Sequence, residues 1–391
     1  MACARCATGR ASGADRSPPD LEAVRRPVAR TAEDIPGDVH AVTAEWLGTV
    51  LGARIRDATV VGGSSATTSR VALRLTYEED RPDLPRDVFV KLTASYQQRL
   101  FLGLIRILDG EPFFYDRVRP LIGDVEVPHG FHGAHDDASW RSAVVIEDIA
   151  ATRGAEFLHA TMSINREDMA SLLTVLADVH GTLWQHDVVL RSNLKRPADH
   201  LHNLSAFLNM RKCCARGIER MGADFPAQLR PREPELWDGL HRSMQLVSNP
   251  RHLTFLHGDT HVGNTYRTAG GRMGYVDWQV GMRGSWAYDV AYALSSALEP
   301  DDRREWERDL LTHYLEQLQK AGGEAPEFEA GWTAYRQNLM YPLHCWTCVY
   351  GAARWMPEMQ PEDASRRIIS RVAIAIDDLG ALETLTVARG G

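Results

Sequence analysis

The hydrophobic pattern of this chain changes character near residue 148, from mostly strand-like to mostly helical, and that change limits the fold more than any other feature. Before it, Ser69-Arg-Val-Ala-Leu-Arg-Leu-Thr76 alternates apolar and polar residues, between the strand-like runs Ala58-Thr-Val-Val61 and Asp87-Val-Phe-Val-Lys91. A period of two places alternate side chains on opposite faces, so these runs predict a three-stranded antiparallel meander. Residues 97–119 read as helical, and Ser142-Ala-Val-Val-Ile146 as a further strand. After residue 148, Met169, Leu172, Leu173, Leu176, Val179 and Leu183 recur at helical spacing. Helical patterning continues to about Leu246, yields to a motif-dense region over 256–297, and resumes to the C-terminus. The pattern predicts an α+β chain of two lobes: a small antiparallel sheet lobe over 37–148 and a larger, mainly helical lobe over 149–391.

Residues 1–36 are rich in Ala, Arg, Ser, Gly, Asp and Pro and carry no apolar period. They read as a disordered tail, or equally well as residues upstream of the true start. Thr43-Ala-Glu-Trp46-Leu-Gly-Thr-Val-Leu51 reads as the first element, a capped amphipathic helix. A net charge of −8 argues against a nucleic-acid partner, which requires a basic surface. No apolar run reaches the roughly 18 residues of a membrane span. The N-terminus lacks the apolar core of a secretory signal. Six cysteines in 391 residues are too few for a disulfide framework, and a cytoplasmic protein with reduced thiols is expected. Cys3-Ala-Arg-Cys6 and Cys345-Trp-Thr-Cys348 lie far apart, in a tail and in an apolar helical pattern, and read as unpaired thiols rather than a zinc site.

The densest chemistry is His257-Gly-Asp259-Thr-His261-Val-Gly263-Asn264, followed across the turn Thr268-Ala-Gly270-Gly271-Arg by Asp277-Trp278-Gln279. Phosphoryl transfer asks a protein to position reactants and neutralise developing charge. It needs a carboxylate beside the incoming hydroxyl and oxygen ligands for the magnesium that bridges the phosphates of ATP. An Asp, an Asn five residues later and a second Asp across a short hairpin supply all three.

These residues resemble the catalytic loop and metal-binding motif of the aminoglycoside phosphotransferase and choline kinase superfamily, and within it the ecdysteroid-kinase-like branch. The resemblance implies a two-lobed protein-kinase-like fold, Asp259 as catalytic base or hydroxyl-orienting residue, and Asn264 and Asp277 as magnesium ligands. It implies that His257 and His261 hold the loop in shape. Lys91 ends its strand where the family places its ATP-binding lysine. Glu111, in Gly-Glu111-Pro-Phe-Phe-Tyr115, is similar to the lysine's partner in the family's Glu-x-x-Phe-Tyr motif, with Asp109 and Asp116 as competitors. Gly62-Gly63-Ser64-Ser65 stands where a loop would offer N–H groups to phosphates, and otherwise reads as a hairpin turn. Val144-Val-Ile-Glu147-Asp148-Ile149 resembles the hinge whose backbone at Glu147, Asp148 and Ile149 would hold adenine. Asp289, in Gly284-Ser-Trp286-Ala-Tyr288-Asp289, is similar to an acid that braces the catalytic loop.

Gly258 stands where protein kinases carry Arg, Asp-Trp-Gln replaces Asp-Phe-Gly, and no Ala-Pro-Glu segment follows, all of which favour a small-molecule acceptor. An aminoglycoside or other antibiotic, a choline-like amine, a sterol and a hydroxyacyl thioester stay open as acceptors. A nucleotide-binding pseudokinase with a regulatory role and a helical binding protein without nucleotide are the rival readings. Met340 to Met359 reads as lobe core, or as the wall of an acceptor pocket. Residues 299–309 read as a solvated helix face, and Asp377-Asp378 as a surface pair.

Overall fold

The computed structural model describes residues 29–65, 68–248, 253–352 and 360–385. Helix α1 (Ala44–Leu51) begins where Thr43 accepts the Trp46 amide at 3.1 Å and stops at Gly52, whose φ of 65° ends the helix. Trp46 is fully buried, and its indole N–H donates to the Asp34 carbonyl at 3.0 Å. Residues 1–28 of the expected tail lie outside the described residues. Its remainder packs on the small lobe, with Ile35 in the lobe's core.

Strands β1 (Ile55–Ser65), β2 (Ser69–Tyr77), β3 (Asp87–Leu92), β4 (Gly130–Asp136) and β5 (Arg141–Glu147) form an antiparallel sheet in the order β1-β2-β3-β5-β4. The alternation of β2 does what its period predicts: Val71, Leu73 and Leu75 face the core with Val88, Val90 and Val145. Strand β4, Gly-Phe-His-Gly-Ala-His-Asp, has no counterpart in the hydrophobic pattern, because its glycines and histidines give no alternation. The helical stretch expected over 97–119 is broken. Helix α2 (Tyr96–Leu104) ends before Arg106, whose φ is 56°, and helix α3 (Gly110–Phe113) starts a second helical segment that runs to Leu121.

The larger lobe begins with α4 (Ile149–Arg153) and β6 (Glu156–Phe157), then α5 (Arg166–Thr182), α6 (Pro197–Leu208), α7 (Met210–Met221) and α8 (Glu233–Val247). Short strands β7 (Thr254–Leu256), β8 (Thr265–Arg267), β9 (Met273–Tyr275) and β10 (Met282–Gly284) carry the motif-dense segment. Helices α9 (Ala287–Ala297), α10 (Pro300–Lys320), α11 (Phe328–Gln337), α12 (Met340–Tyr350) and α13 (Glu362–Asp378) complete it around one core. The expected solvated face at 299–309 is partly internal. Arg303 and Glu307 are buried and paired at 2.7 Å, and Tyr335 donates to Glu307 at 2.9 Å. Asp378 closes that network by accepting from Arg303 and Arg304. The packing of α10 against α11 and α13 internalises an i, i+4 ion pair that sequence spacing alone marks as exposed. Among the described residues no helix is long and apolar enough to cross a membrane.

Candidate active site

Strand β7 delivers its last residue, Leu256, to a loop whose backbone is held from below by one carboxylate. Asp289, near the start of α9, accepts the His257 amide at 2.7 Å and the Gly258 amide at 2.9 Å, and its carbonyl accepts the Thr260 hydroxyl at 2.8 Å. His180 of α5 lies 3.2 Å from the same carboxylate. Gly258 has a φ of 85°, and a Cβ there would stand 2.5 Å from the Val280 carbonyl oxygen. His257 donates from Nε2 to the Val276 carbonyl at 3.0 Å, so its Nδ1 is the acceptor for the Asp259 amide at 3.2 Å. Burial holds this imidazole below its ordinary pKa, consistent with that neutral form.

Asp259 emerges from the loop with both oxygens engaged. Oδ1 accepts the Tyr292 hydroxyl at 2.8 Å, Oδ2 accepts Asn264 Nδ2 at 3.0 Å, and His261 Nε2 stands 3.5 Å from Oδ2. Burial disfavours its charge, but His261, the Tyr292 hydroxyl and His257 outweigh burial and hold the carboxyl at about 2. Asn264 Nδ2 also donates to the Asp259 carbonyl at 2.9 Å. With both amide hydrogens committed to Asp259, the Asn264 amide oxygen is the atom left for a ligand.

Lys91 is buried between two carboxylates, 2.7 Å from Glu111 Oε2 and 2.6 Å from Asp277 Oδ1. Burial lowers the pKa of its ammonium, but Asp277 and Glu111 outweigh burial and raise it. Burial pushes Glu111 up, whereas Lys91 and Arg70 overcome burial at Asp277 and hold it down. Of the alternatives to Glu111, Asp109 lies 3.9 Å from Lys195 and Asp116 pairs with Arg117. Phe114 stacks on Trp278 with centroids 3.8 Å apart and planes 3° apart, which fastens the Glu111 segment to the turn after Asp277. Asp277 itself takes a φ of 63°. It opens the short helical turn Trp278–Val280 and turns its carboxylate toward Lys91.

The glycine-serine run and the hinge sit at the two ends of the sheet. Gly63, Ser64 and Ser65 lie on the last residues of β1, paired with Val71, Arg70 and Ser69, rather than in the connection. The ladder extends through them because Gly63 lets the strands close: a Cβ there would be 2.9 Å from the Arg70 carbonyl oxygen. The Glu147 side chain is occupied, accepting Thr152 Oγ1 at 2.5 Å and Arg153 Nε at 2.9 Å. Asp148 caps α4 by accepting the amides of Ala150 and Ala151, and Ile149 is buried. The backbone amides of Glu147 and Asp148 are engaged as well, donating to the carbonyls of His129 at 2.9 Å and Asp87 at 3.4 Å. An open depression of about 700 Å³ on the outer face of the small lobe, lined by residues such as Glu45, Arg54 and Glu78, shares no residue with this site.

Three neighbours of the site were missed by sequence reasoning. Tyr292 follows Asp289 by three residues on one helix, a spacing that puts both on one face and was a usable signal. Trp346, which donates from Nε1 to the Tyr292 hydroxyl at 2.7 Å, comes from α12, within the 340–359 stretch read as core or pocket wall, but its tie to Tyr292 was not foreseen. Arg70 stands directly opposite Lys91 in the β2–β3 ladder, with Nη2 3.5 Å from Asp277 Oδ2. Cys345 is half-buried, and burial, then the charge of Asp259, push its thiol up to about 12.

A sheet lobe with a buried Lys–Glu pair, stacked on a helical lobe that presents an Asp–Asn loop and a second Asp, defines a two-lobed kinase-like fold. The match of a family model over residues 97–336 takes this further: the chain belongs to the phosphotransferase enzyme family designated APH. Choline kinase from Cryptosporidium parvum Iowa II shares the fold at a TM-score of 0.51 and 11% identity, over 83% of this chain and 91% of that one. Spectinomycin phosphotransferase, solved with ADP and spectinomycin, aligns over 86% of this chain and 97% of its own at 14% identity and a TM-score of 0.46. A microcompartment-associated aminopropanol kinase aligns over 82% and 90% at 16% identity and a TM-score of 0.46. No curated protein sequence matches the chain.

Proposed function

We propose that this protein is a magnesium-dependent small-molecule kinase that moves the γ-phosphoryl group of ATP onto an acceptor hydroxyl. One observation carries the reading: the buried ammonium of Lys91 bridges Glu111 and Asp277, residues brought together from both lobes. An ammonium held by two carboxylates can exchange one of them for a phosphate oxygen and keep the other. Membership of a phosphotransferase family supports the same chemistry.

The donor set suits magnesium. Asp277 offers carboxylate oxygens and Asn264 an amide oxygen, both hard ligands, and neither requires nitrogen or sulfur. Held by Asn264 and Asp277, magnesium would supply positive charge to offset that of the phosphates. Lys91, oriented by Glu111, would take the α- and β-phosphates. At the hinge, the Asp148 side chain caps the amides of Ala150 and Ala151, which leaves the N–H of Ile149, at the head of α4, to meet adenine. Asp259, held at about 2, is a weak base at neutral pH. It therefore aligns the acceptor hydroxyl by accepting its hydrogen bond and takes the proton late, as the attacking oxygen loses electron density. We place the acceptor on the side of the cleft formed by α9 and α12, where the buried Tyr292 and Trp346 support Asp259 and Cys345 is half-buried. Within the family, the His257–Asn264 loop with Asp277-Trp278-Gln279 is the ground for placing the chain near the ecdysteroid-kinase-like branch, and its few cysteines, read as reduced thiols, are the ground for a cytoplasmic setting.

The test is ADP release with ATP and magnesium over a panel of hydroxylated antibiotics, amino alcohols, sterols and hydroxyacyl thioesters, with Asp259→Ala as the blank. Acceptor-dependent release that the blank lacks is the expected result. A chain that binds no nucleotide at all would refute the reading.

A further inference from the structure

We propose that Arg70 is a second phosphate-binding cation, which holds the terminal phosphate of ATP and makes the site distinguish ATP from ADP. The inference rests on the reading of the cleft as an ATP site.

The register of the small lobe's sheet is its origin. Arg70 of β2 and Lys91 of β3 are directly opposed, so their side chains leave the same face of the sheet. Both reach the same carboxylate: Lys91 takes Asp277 Oδ1 at 2.6 Å, and Arg70 approaches Oδ2 at 3.5 Å. The two cations are otherwise unlike. Lys91 is 6% exposed and has Glu111 as a second counter-ion, whereas the Arg70 side chain is 33% exposed, nearer the mouth of the cleft. Among the described residues Asp277 is the ion-pair partner of Arg70. Arg70 also lies beside the end of β1, where Ser64 is its partner in the ladder, so it stands at the tip end of the β1–β2 hairpin.

Asp277 engaged with a divalent cation cannot also balance two positive side chains. Lys91 keeps Glu111. Arg70 loses its partner and is left as a planar fork of donors at the open edge of the cleft, beside the metal ligand. The group that belongs there is the outermost phosphate, whose oxygens match a guanidinium in bidentate fashion. After transfer that phosphate is gone, and ADP retains Lys91 but not Arg70. The expected consequences are tighter binding of the triphosphate and easier release of the diphosphate.

Calorimetric titration with magnesium and either ADP or a non-hydrolysable ATP analogue tests this without turnover, on wild type, Arg70→Met and Arg70→Lys. Wild type should bind the triphosphate more tightly than ADP. Arg70→Met should weaken the triphosphate by about tenfold or more and ADP by less than about threefold. Arg70→Lys, which keeps the charge but not the fork, should fall between. Thermal melting of each variant controls for folding, and Arg70→Lys carries the decision if Arg70→Met melts early. Equal losses for both nucleotides, or no loss, would overturn the assignment while leaving the ATP site standing. A wild-type protein that binds neither nucleotide would instead remove the reading on which the assignment rests.

Discussion

Tyr292 donates its hydroxyl hydrogen to Asp259 Oδ1 at 2.8 Å, and the same hydroxyl oxygen accepts the Trp346 Nε1 hydrogen at 2.7 Å. A tyrosine has one O–H, so the indole orients it and the orientation is imposed on the carboxylate. Replacing Tyr292 with Phe removes a hydrogen bond to a charged group, worth roughly 1.5–3 kcal/mol. The expected result is a fall in kcat of about 10- to 100-fold with nucleotide affinity unchanged. Trp346→Phe should cost less, since the phenol keeps its proton for Asp259. Steady-state kinetics with parallel nucleotide titrations check both.

Asp259→Ala should abolish turnover while binding of magnesium-ATP, read by calorimetry, survives. Its pKa also sets a stability window. The folded value, about 2, lies below the ordinary 3.8, so ionised Asp259 contributes stability that is fully present above about pH 4 and lost as pH falls toward 2. The contribution is on the order of 2 kcal/mol. Acid unfolding curves of wild type and Asp259→Asn should therefore converge at the low end of that range and differ above it.

Lys91→Met leaves Glu111 and Asp277 without their cation. Breaking a buried pair from one side costs roughly 3–5 kcal/mol, so the melting temperature should drop sharply and ATP binding should be lost. Adding Glu111→Gln removes one stranded charge. The double variant should recover part of the melting temperature and none of the ATP affinity, which separates the structural from the binding role.

Gly110→Ala tests how the Glu111 segment is seated. A Cβ at this position would stand 2.4 Å from the Gln279 carbonyl oxygen and 2.7 Å from the Gly281 nitrogen, both backbone atoms. The helix must move away from the turn that follows Asp277, at a cost of roughly 1–3 kcal/mol. Weaker ATP binding should accompany the lower melting temperature, because the Phe114–Trp278 stack and the Glu111–Lys91 contact move with it.

Some of this protein is legible in its residues alone. The Thr43 cap, the alternation of Ser69–Tyr77, and the His257–Asn264 loop with Asp277 across a glycine turn are all local. Each is decided by hydrogen bonds or side-chain periods within a few residues, so spacing alone carries it. The five-residue step from Asp259 to Asn264 predicted residues of one loop, and they bond at 3.0 Å. Tertiary structure decided what meets that loop. Lys91 and Asp277 are 186 positions apart, and Tyr292 and Trp346 are 54 apart. Their meeting depends on how a sheet lobe docks on a helical one and on where α12 crosses α9, which long-range burial of apolar faces determines. Arg70 belongs to the same class. Its sequence marks it as a polar residue of an alternating strand, and only the β2–β3 register puts it on the face with Lys91. A shift of one residue in that register would have turned it away.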